Sequence, residues 1–186
     1  MGLDDQLAPL LPALAGFPLG QVTVRQLLTH TAGVPLRANL KALYGTEPQA
    51  IRDGVLREQL HRPPGEAVEY TDRAALILGF LIEARTGTPL DVLSRERTWH
   101  PLGMTETSFG PLPPALTSRC APTEEDKDTG TRLRGTAHDF SARLLGGVCG
   151  IAGVFTTLSD TESFLRYMLN PAAVIGKPGF GPGLGR

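Results

Sequence analysis

The nine residues from Ala74 to Ile82 contain no polar side chain, and they stand inside a longer segment, Asp72 to Gly87, that reads as a helix. A helix that is apolar on almost every face cannot lie on a surface and has to be surrounded by other elements. Nine residues are also far short of a bilayer span. The chain is therefore expected to fold as helices layered around this one, with Leu76, Ile77, Phe80 and Leu81 in the core. Asp72 is placed to cap its start and Gly87 to end it at the C′ position.

Shorter signals surround the central helix. Leu7 to Leu14 reads as a short helical or irregular lead-in. Thr23-Val24-Arg25-Gln26 has the form of a capping box, opening a helix with Val24, Leu27 and Leu28 on its apolar face; His30 is then expected in its last turn, bonding a carbonyl or hydroxyl, before Gly33 and Pro35 stop it. Arg62 to Glu66 reads as a turn and Ala67 to Tyr70 as an extended piece, which puts Tyr70 at a corner leading into the central helix. Thr88 is expected to cap a further helix with Pro89 at its first position, ending near Trp99, and Pro101 to Met104 reads as a tight loop. Thr136 to Asp139 and Ser159-x-x-Glu162 resemble two more capping boxes. A short strand is expected around Val154-Phe155. The polar stretch 117–134 reads as an exposed excursion, and 171–186, rich in Gly and Pro, as a flexible tail.

Composition excludes several classes of function. With 18 Lys+Arg against 19 Asp+Glu and a net charge of -1, no basic stripe offers itself to phosphate backbones, so no nucleic-acid partner is expected. No membrane segment is expected either. The N-terminus shows no basic region followed by an apolar one, and the compartment stays open, as does the oligomeric state. Cys120 and Cys149 match neither a CxxC pair nor a metal spacing and read as free thiols. No metal or cofactor is implied.

Self-contained catalytic signatures are absent: there is no GxSxG, HExxH, GxxxxGK[ST] or GxGxxG. Ser94, Ser108, Ser118, Ser141, Ser159 and Ser163 are followed three positions later by Arg97, Pro111, Ala121, Leu144, Glu162 and Arg166, so no Ser-x-x-Lys occurs. The Gly150 to Gly153 cluster has no following lysine and reads as a tight turn.

Three segments in fixed order carry a resemblance. They are Val22 to Pro35, with its Leu27-Leu28-Thr29-His30-Thr31-Ala32-Gly33 run; Pro64-Gly65-Glu66 through Tyr70-Thr71-Asp72 to Leu102-Gly103-Met104; and His138-Asp139 through Gly146-Gly147-Val148 to Ala152-Gly153-Val154-Phe155 and Thr157. Together they resemble the β-lactamase-related serine hydrolases, the group that holds class C β-lactamases, D-Ala-D-Ala carboxypeptidases and lactamase-like esterases. The resemblance implies an α+β fold, an antiparallel sheet flanked by helices beside a mostly helical lobe. This chain would supply chiefly the helical lobe, helix-rich with few short strands, as an internal fragment forming one incomplete domain over 1–186.

The family's chemistry uses a Ser-x-x-Lys nucleophile, a Tyr-x-Asn element and a Lys/His-Thr/Ser-Gly strand. The first is expected upstream and the third downstream of this segment. Tyr70-Thr71-Asp72 matches the second, so the resemblance implies Tyr70 as proton carrier or base and Asp72 as the contact to substrate and lysine. Read without it, Tyr70 is a packing aromatic at a corner and Asp72 a helix cap. Asp72 departs from the family's Asn: a carboxylate only accepts hydrogen bonds where an amide also donates, which tilts the expected substrate from β-lactams towards esters. His138 with Asp139 does not form a pair, because neighbours at a helix start do not face each other. His61 and His100 read as solvated or locally bonded.

The function implied is acyl transfer through an acyl-enzyme on a small ester or amide substrate, with the segment alone inactive for want of a nucleophile. Two alternatives stand beside it: a non-catalytic relative that keeps the cleft for binding, and a truncated product without a function of its own.

Overall fold

The computed structural model describes residues 1–36, 39–126 and 129–170. The expected tail over 171–186 lies outside the described residues. Two compact units are present, Met1–Gly87 with Asp139–Ala152, and Thr88–His138 with the chain from Gly153 onward.

The described residues of the first unit form helices and loops, with one isolated bridge between Gln6 and Thr23. Its helices are α1 (Leu7–Leu10), α2 (Val24–Leu28), α3 (Leu40–Tyr44), α4 (Pro48–Leu56), α5 (Asp72–Thr86) and α9 (Phe140–Leu144), with 3-10 turns at Pro12–Leu14 and Pro18–Gln21. Helix α5 packs against α2 and α4. Leu76, Ile77, Phe80 and Leu81 are buried with Leu27, Ile51 and Val55, and each such side chain removed from water contributes about 1.5–3 kcal/mol. The central helix is thus where its apolar run puts it. Arg52 closes the far end of α5: its guanidinium donates to the Phe80 carbonyl at 3.0 Å, pairs with Glu83 at 2.9 Å and lies over the Phe80 ring. Gly150 lets the last loop of the unit lie on α5, since a Cβ there would run into the Ala75 carbonyl.

Several helix starts differ from expectation. Thr71, not Asp72, caps α5, accepting from the Arg73 N–H at 3.2 Å. The hydroxyl of Thr71 also donates to the carbonyls of Pro35 (2.7 Å) and Leu36 (3.1 Å), so the loop after α2 selects it. Helix α9 is capped by Asp139 through the Ala142 N–H, at the last position of the expected Thr136–Asp139 box and not at its first. The capping box at Thr23 and Gln26 is present in full.

The second unit holds α6 (Leu90–Ser94), a π-helical stretch Arg95–Trp99, α7 (His100–Leu102), β1 (Ser108–Phe109), α8 (Pro114–Thr117), β2 (Val154–Phe155) and α10 (Leu158–Leu169). Pro89, not Thr88, is the N-cap of α6, and the helical path runs past Trp99 to Leu102 before Gly103 turns it in the left-handed region. Proline at 101 is no obstacle because it stands at the start of α7. Strand β2 is the expected one; its antiparallel partner β1, pairing Ser108 with Phe155 and Phe109 with Val154, carries no periodic signal of its own. Thr157 caps α10 in place of Ser159, accepting from the Asp160 N–H, and the buried Asp160 carboxylate accepts from the Glu106 N–H at 2.9 Å and the Thr107 hydroxyl at 2.7 Å. Residues 117–126 and 129–134 are mostly exposed, and the Glu125–Arg132 bridge, with backbone bonds from the Thr123 N–H to Leu133, the Leu133 N–H to Glu124 and the Asp126 N–H to Thr131, ties their two sides together. The fold is helix-rich α+β with two short strands among the described residues. No described helix is long and apolar enough to cross a membrane.

Candidate functional site

Three backbone hydrogen bonds tie the end of α2 to the segment before α5: His61 N–H to the Gly33 carbonyl (2.9 Å), Gly65 N–H to Thr31 (2.7 Å) and Glu69 N–H to His30 (2.8 Å). Gly33 has φ 70°, and a side chain there would strike the Arg62 carbonyl. Side chains reinforce the seam, with Glu69 Oε2 lying 2.7 Å from Arg62 Nε, an ion pair, and 2.9 Å from His61 Nε2. Tyr70 and Asp72 are delivered to the start of α5 by this clasp, which keeps the extended form expected for Ala67 to Tyr70 without belonging to a sheet.

The Tyr70 side chain is 76 % exposed. Its hydroxyl donates to Asp72 Oδ1 at 3.0 Å. That bond comes first in holding the phenol above its ordinary value; the charge of Asp72 follows, and Asp139 adds to it. The carboxylate both accepts the phenolic proton and repels a phenolate. At neutral pH the residue is therefore a neutral phenol that donates. Asp72→Asn is expected to return its titration towards the ordinary tyrosine range of ~10, followed as the growth of tyrosinate absorbance with pH. A phenol unmoved by the substitution would mean that Asp72 does not set it.

Asp72 lines a cleft of about 580 Å³ together with Leu36, Asn39, Leu40, Arg73, Leu76, Asp139, Ser141 and Ile151. Tyr70 is not in that lining. It stands outside the cleft, joined to it by the bond to Asp72. Beneath, Arg73 is 3 % exposed and its Nε meets Glu58 Oε2 at 2.8 Å; Glu58 Oε1 also accepts the Tyr44 hydroxyl at 2.7 Å. Burial, then the bond to Glu58, pushes the Tyr44 phenol up to about 12. The other end of the Arg73 guanidinium, Nη2, is buried without a hydrogen-bond partner among the described residues.

His30 is not in the last turn of α2, which ends at Leu28. The chain closes there with the Thr31 N–H on the Gln26 carbonyl and the His30 N–H on Leu27, which leaves His30 at φ 56°. Its ring lies 4.8 Å from that of Tyr70, tilted by 50°. Periodicity does not reveal this contact, because it crosses 40 residues of chain; only the shared motif order hinted that the two segments belong to one site. His138 Nε2 lies 3.1 Å from Glu124 Oε2. Cys149 is buried, which raises its thiol pKa. Among the described residues no group of three or more His, Cys, Asp or Glu could hold a metal ion.

Comparison with known proteins gives a consistent picture. The β-lactamase family model matches residues 1–178. A protein of Escherichia coli K12 that carries the provisional name D-alanyl-D-alanine carboxypeptidase is 32 % identical over 192 residues, covering 90 % of this chain and 44 % of its own length. Among solved structures, the D-alanine carboxypeptidase AmpC of Burkholderia cenocepacia superposes with a TM-score of 0.67 at 26 % identity, over 95 % of this chain and 44 % of that one. The class C β-lactamase of Rhodobacter sphaeroides gives 0.69 at 22 % identity, over 91 % and 44 %. The chain thus spans less than half the length of these relatives.

Proposed function

Because the chain belongs to the β-lactamase family, we propose that it is part of a serine hydrolase that works through an acyl-enzyme on an ester or amide carbonyl, with Tyr70 as proton carrier. The observation that carries the reading is the exposed Tyr70 phenol, bonded to Asp72 where a cleft opens at the start of the most buried helix. A serine nucleophile splits acyl transfer into two steps, and each needs a proton moved. In this reading Tyr70 takes the proton of the attacking hydroxyl and passes it to the leaving group. Because Asp72 holds it protonated, a neighbouring cation such as the family's lysine is needed before it can act as base. The relatives' names point to D-alanyl amide substrates. Asp72 tilts the reading to esters, since a carboxylate there cannot donate to an acylamide.

The segment alone is expected to be silent, because no serine in it is followed by a lysine three positions later. The amides that would stabilise an oxyanion beside the nucleophile belong to that same absent motif. The test is to incubate the purified 186-residue chain, and a longer protein that joins it to a Ser-x-x-Lys segment, with a fluorophosphonate probe and a chromogenic ester. The longer protein should gain the mass of one probe on that serine and turn over ester, and the short chain should do neither. Stoichiometric labelling of any serine of the short chain, with turnover lost on its mutation, would defeat the reading.

A further inference from the structure

Three helices among the described residues end in the same way, with an N–H just past the helix bonded back to a carbonyl five residues earlier. In α7 that bond runs from Met104 to Trp99 at 2.9 Å, in α9 from Gly147 to Ala142 at 2.8 Å, and in α2 from Thr31 to Gln26 at 2.9 Å. Such an ending puts one residue in the left-handed region, where glycine alone is free of steric cost. Gly103 (φ 75°) and Gly146 (φ 79°) fill that place in α7 and α9. In α2 it is filled by His30, the one described residue other than glycine with positive φ. A strained residue held where glycine would serve calls for a use of its side chain.

The surroundings show the use. The imidazole lies on the Tyr70 ring at 4.8 Å, and its Nδ1 accepts from the Thr71 N–H at 3.5 Å, the long end of a hydrogen bond. The His30 carbonyl receives the Glu69 N–H at 2.8 Å. One residue thus touches Glu69, Tyr70 and Thr71 in succession. Tyr70 is otherwise tethered by its hydroxyl bond to Asp72, and an exposed ring with a single polar contact can pivot about that contact. We propose that His30 is a positioning residue for Tyr70: its left-handed backbone turns the imidazole onto the phenol ring and so fixes where the hydroxyl proton is offered. The inference rests on Tyr70 as proton carrier, as proposed above.

His30→Gly and His30→Asn both suit the left-handed backbone, so the clasp should survive in each while the ring is lost. The 186-residue chain labelled with ¹³C in its tyrosine rings is observed by NMR, with Tyr70→Phe to assign the Tyr70 signals. In both variants the Tyr70 signals should shift and narrow as the ring loses its neighbour and its order, while those of Tyr44 and Tyr167 stay in place. Unchanged Tyr70 signals in both variants would overturn the inference, whatever the activity. In the longer, active protein the same variants should lose about 10- to 100-fold in kcat with KM held, the mark of a misplaced proton carrier and not of weakened binding. A fall confined to KM, or an unchanged kcat, would also overturn it. If Tyr70→Phe is itself fully active, the proton-carrier reading fails and the NMR result alone decides whether His30 orders the ring.

Discussion

In a longer protein that joins this segment to a Ser-x-x-Lys nucleophile, Tyr70→Phe is expected to lower p-nitrophenyl ester turnover by about 10²- to 10⁴-fold, the range of a positioned acid–base group. The thermal midpoint should barely move. The ring that remains in phenylalanine keeps its place against His30, and the lost hydroxyl made one exposed hydrogen bond, to Asp72. An exposed polar atom removed without leaving a buried partner unsatisfied has little effect on stability. The loss should fall on kcat and on kcat/KM alike, because a proton is moved only in the transition state. An unchanged rate in the Phe variant would exclude Tyr70 as proton carrier and leave the site to be explained by other groups.

Glu58→Gln is expected to produce the largest loss of stability. Arg73 and Glu58 are 3 % and 10 % exposed and meet at 2.8 Å. Removing the negative charge leaves a buried guanidinium with one end already lacking a partner, a situation that costs about 3–5 kcal/mol. Against a total of about 5–15 kcal/mol for an ordinary domain, that is a large share. The measurement is the urea midpoint at fixed m, followed by far-UV circular dichroism. Replacing both partners, Glu58→Leu with Arg73→Met, should recover much of the loss, because the desolvation of two charges is then no longer required. A Gln variant as stable as the parent would show that the pair is solvated in solution and does not anchor the start of α5.

Much of the helical framework could be read along the chain, since it rests on neighbours in sequence. The apolar run from Ala74 to Ile82, the Thr23–Gln26 capping box and the terminal Gly87 are local arrangements of residues within one or a few helical turns, and each appears as expected. The three ordered motifs led to the family, and they marked Tyr70 and Asp72 as one corner because only Thr71 stands between them. The differences from the sequence expectation lie at helix ends. Ser159 and Thr157 are both chemically able to cap α10, just as Asp72 and Thr71 can both cap α5, and the choice fell to the residue whose other contacts were satisfied at the same time.

The site itself was decided by contacts between distant segments. Glu58 and Arg73 are 15 residues apart, His30 and Tyr70 40, and the loop after α2 reaches Thr71 across 35 or more. No period or motif encodes such distances, because they depend on how closely α2, α4 and α5 pack, and packing is set by the volumes of all the side chains between them. From sequence alone came a buried helix with a tyrosine at its threshold. Only the tertiary structure put an imidazole on that tyrosine's ring and sealed a charge pair beneath the cleft, because each of these needs two chain segments to be within a few ångströms before its energy exists at all.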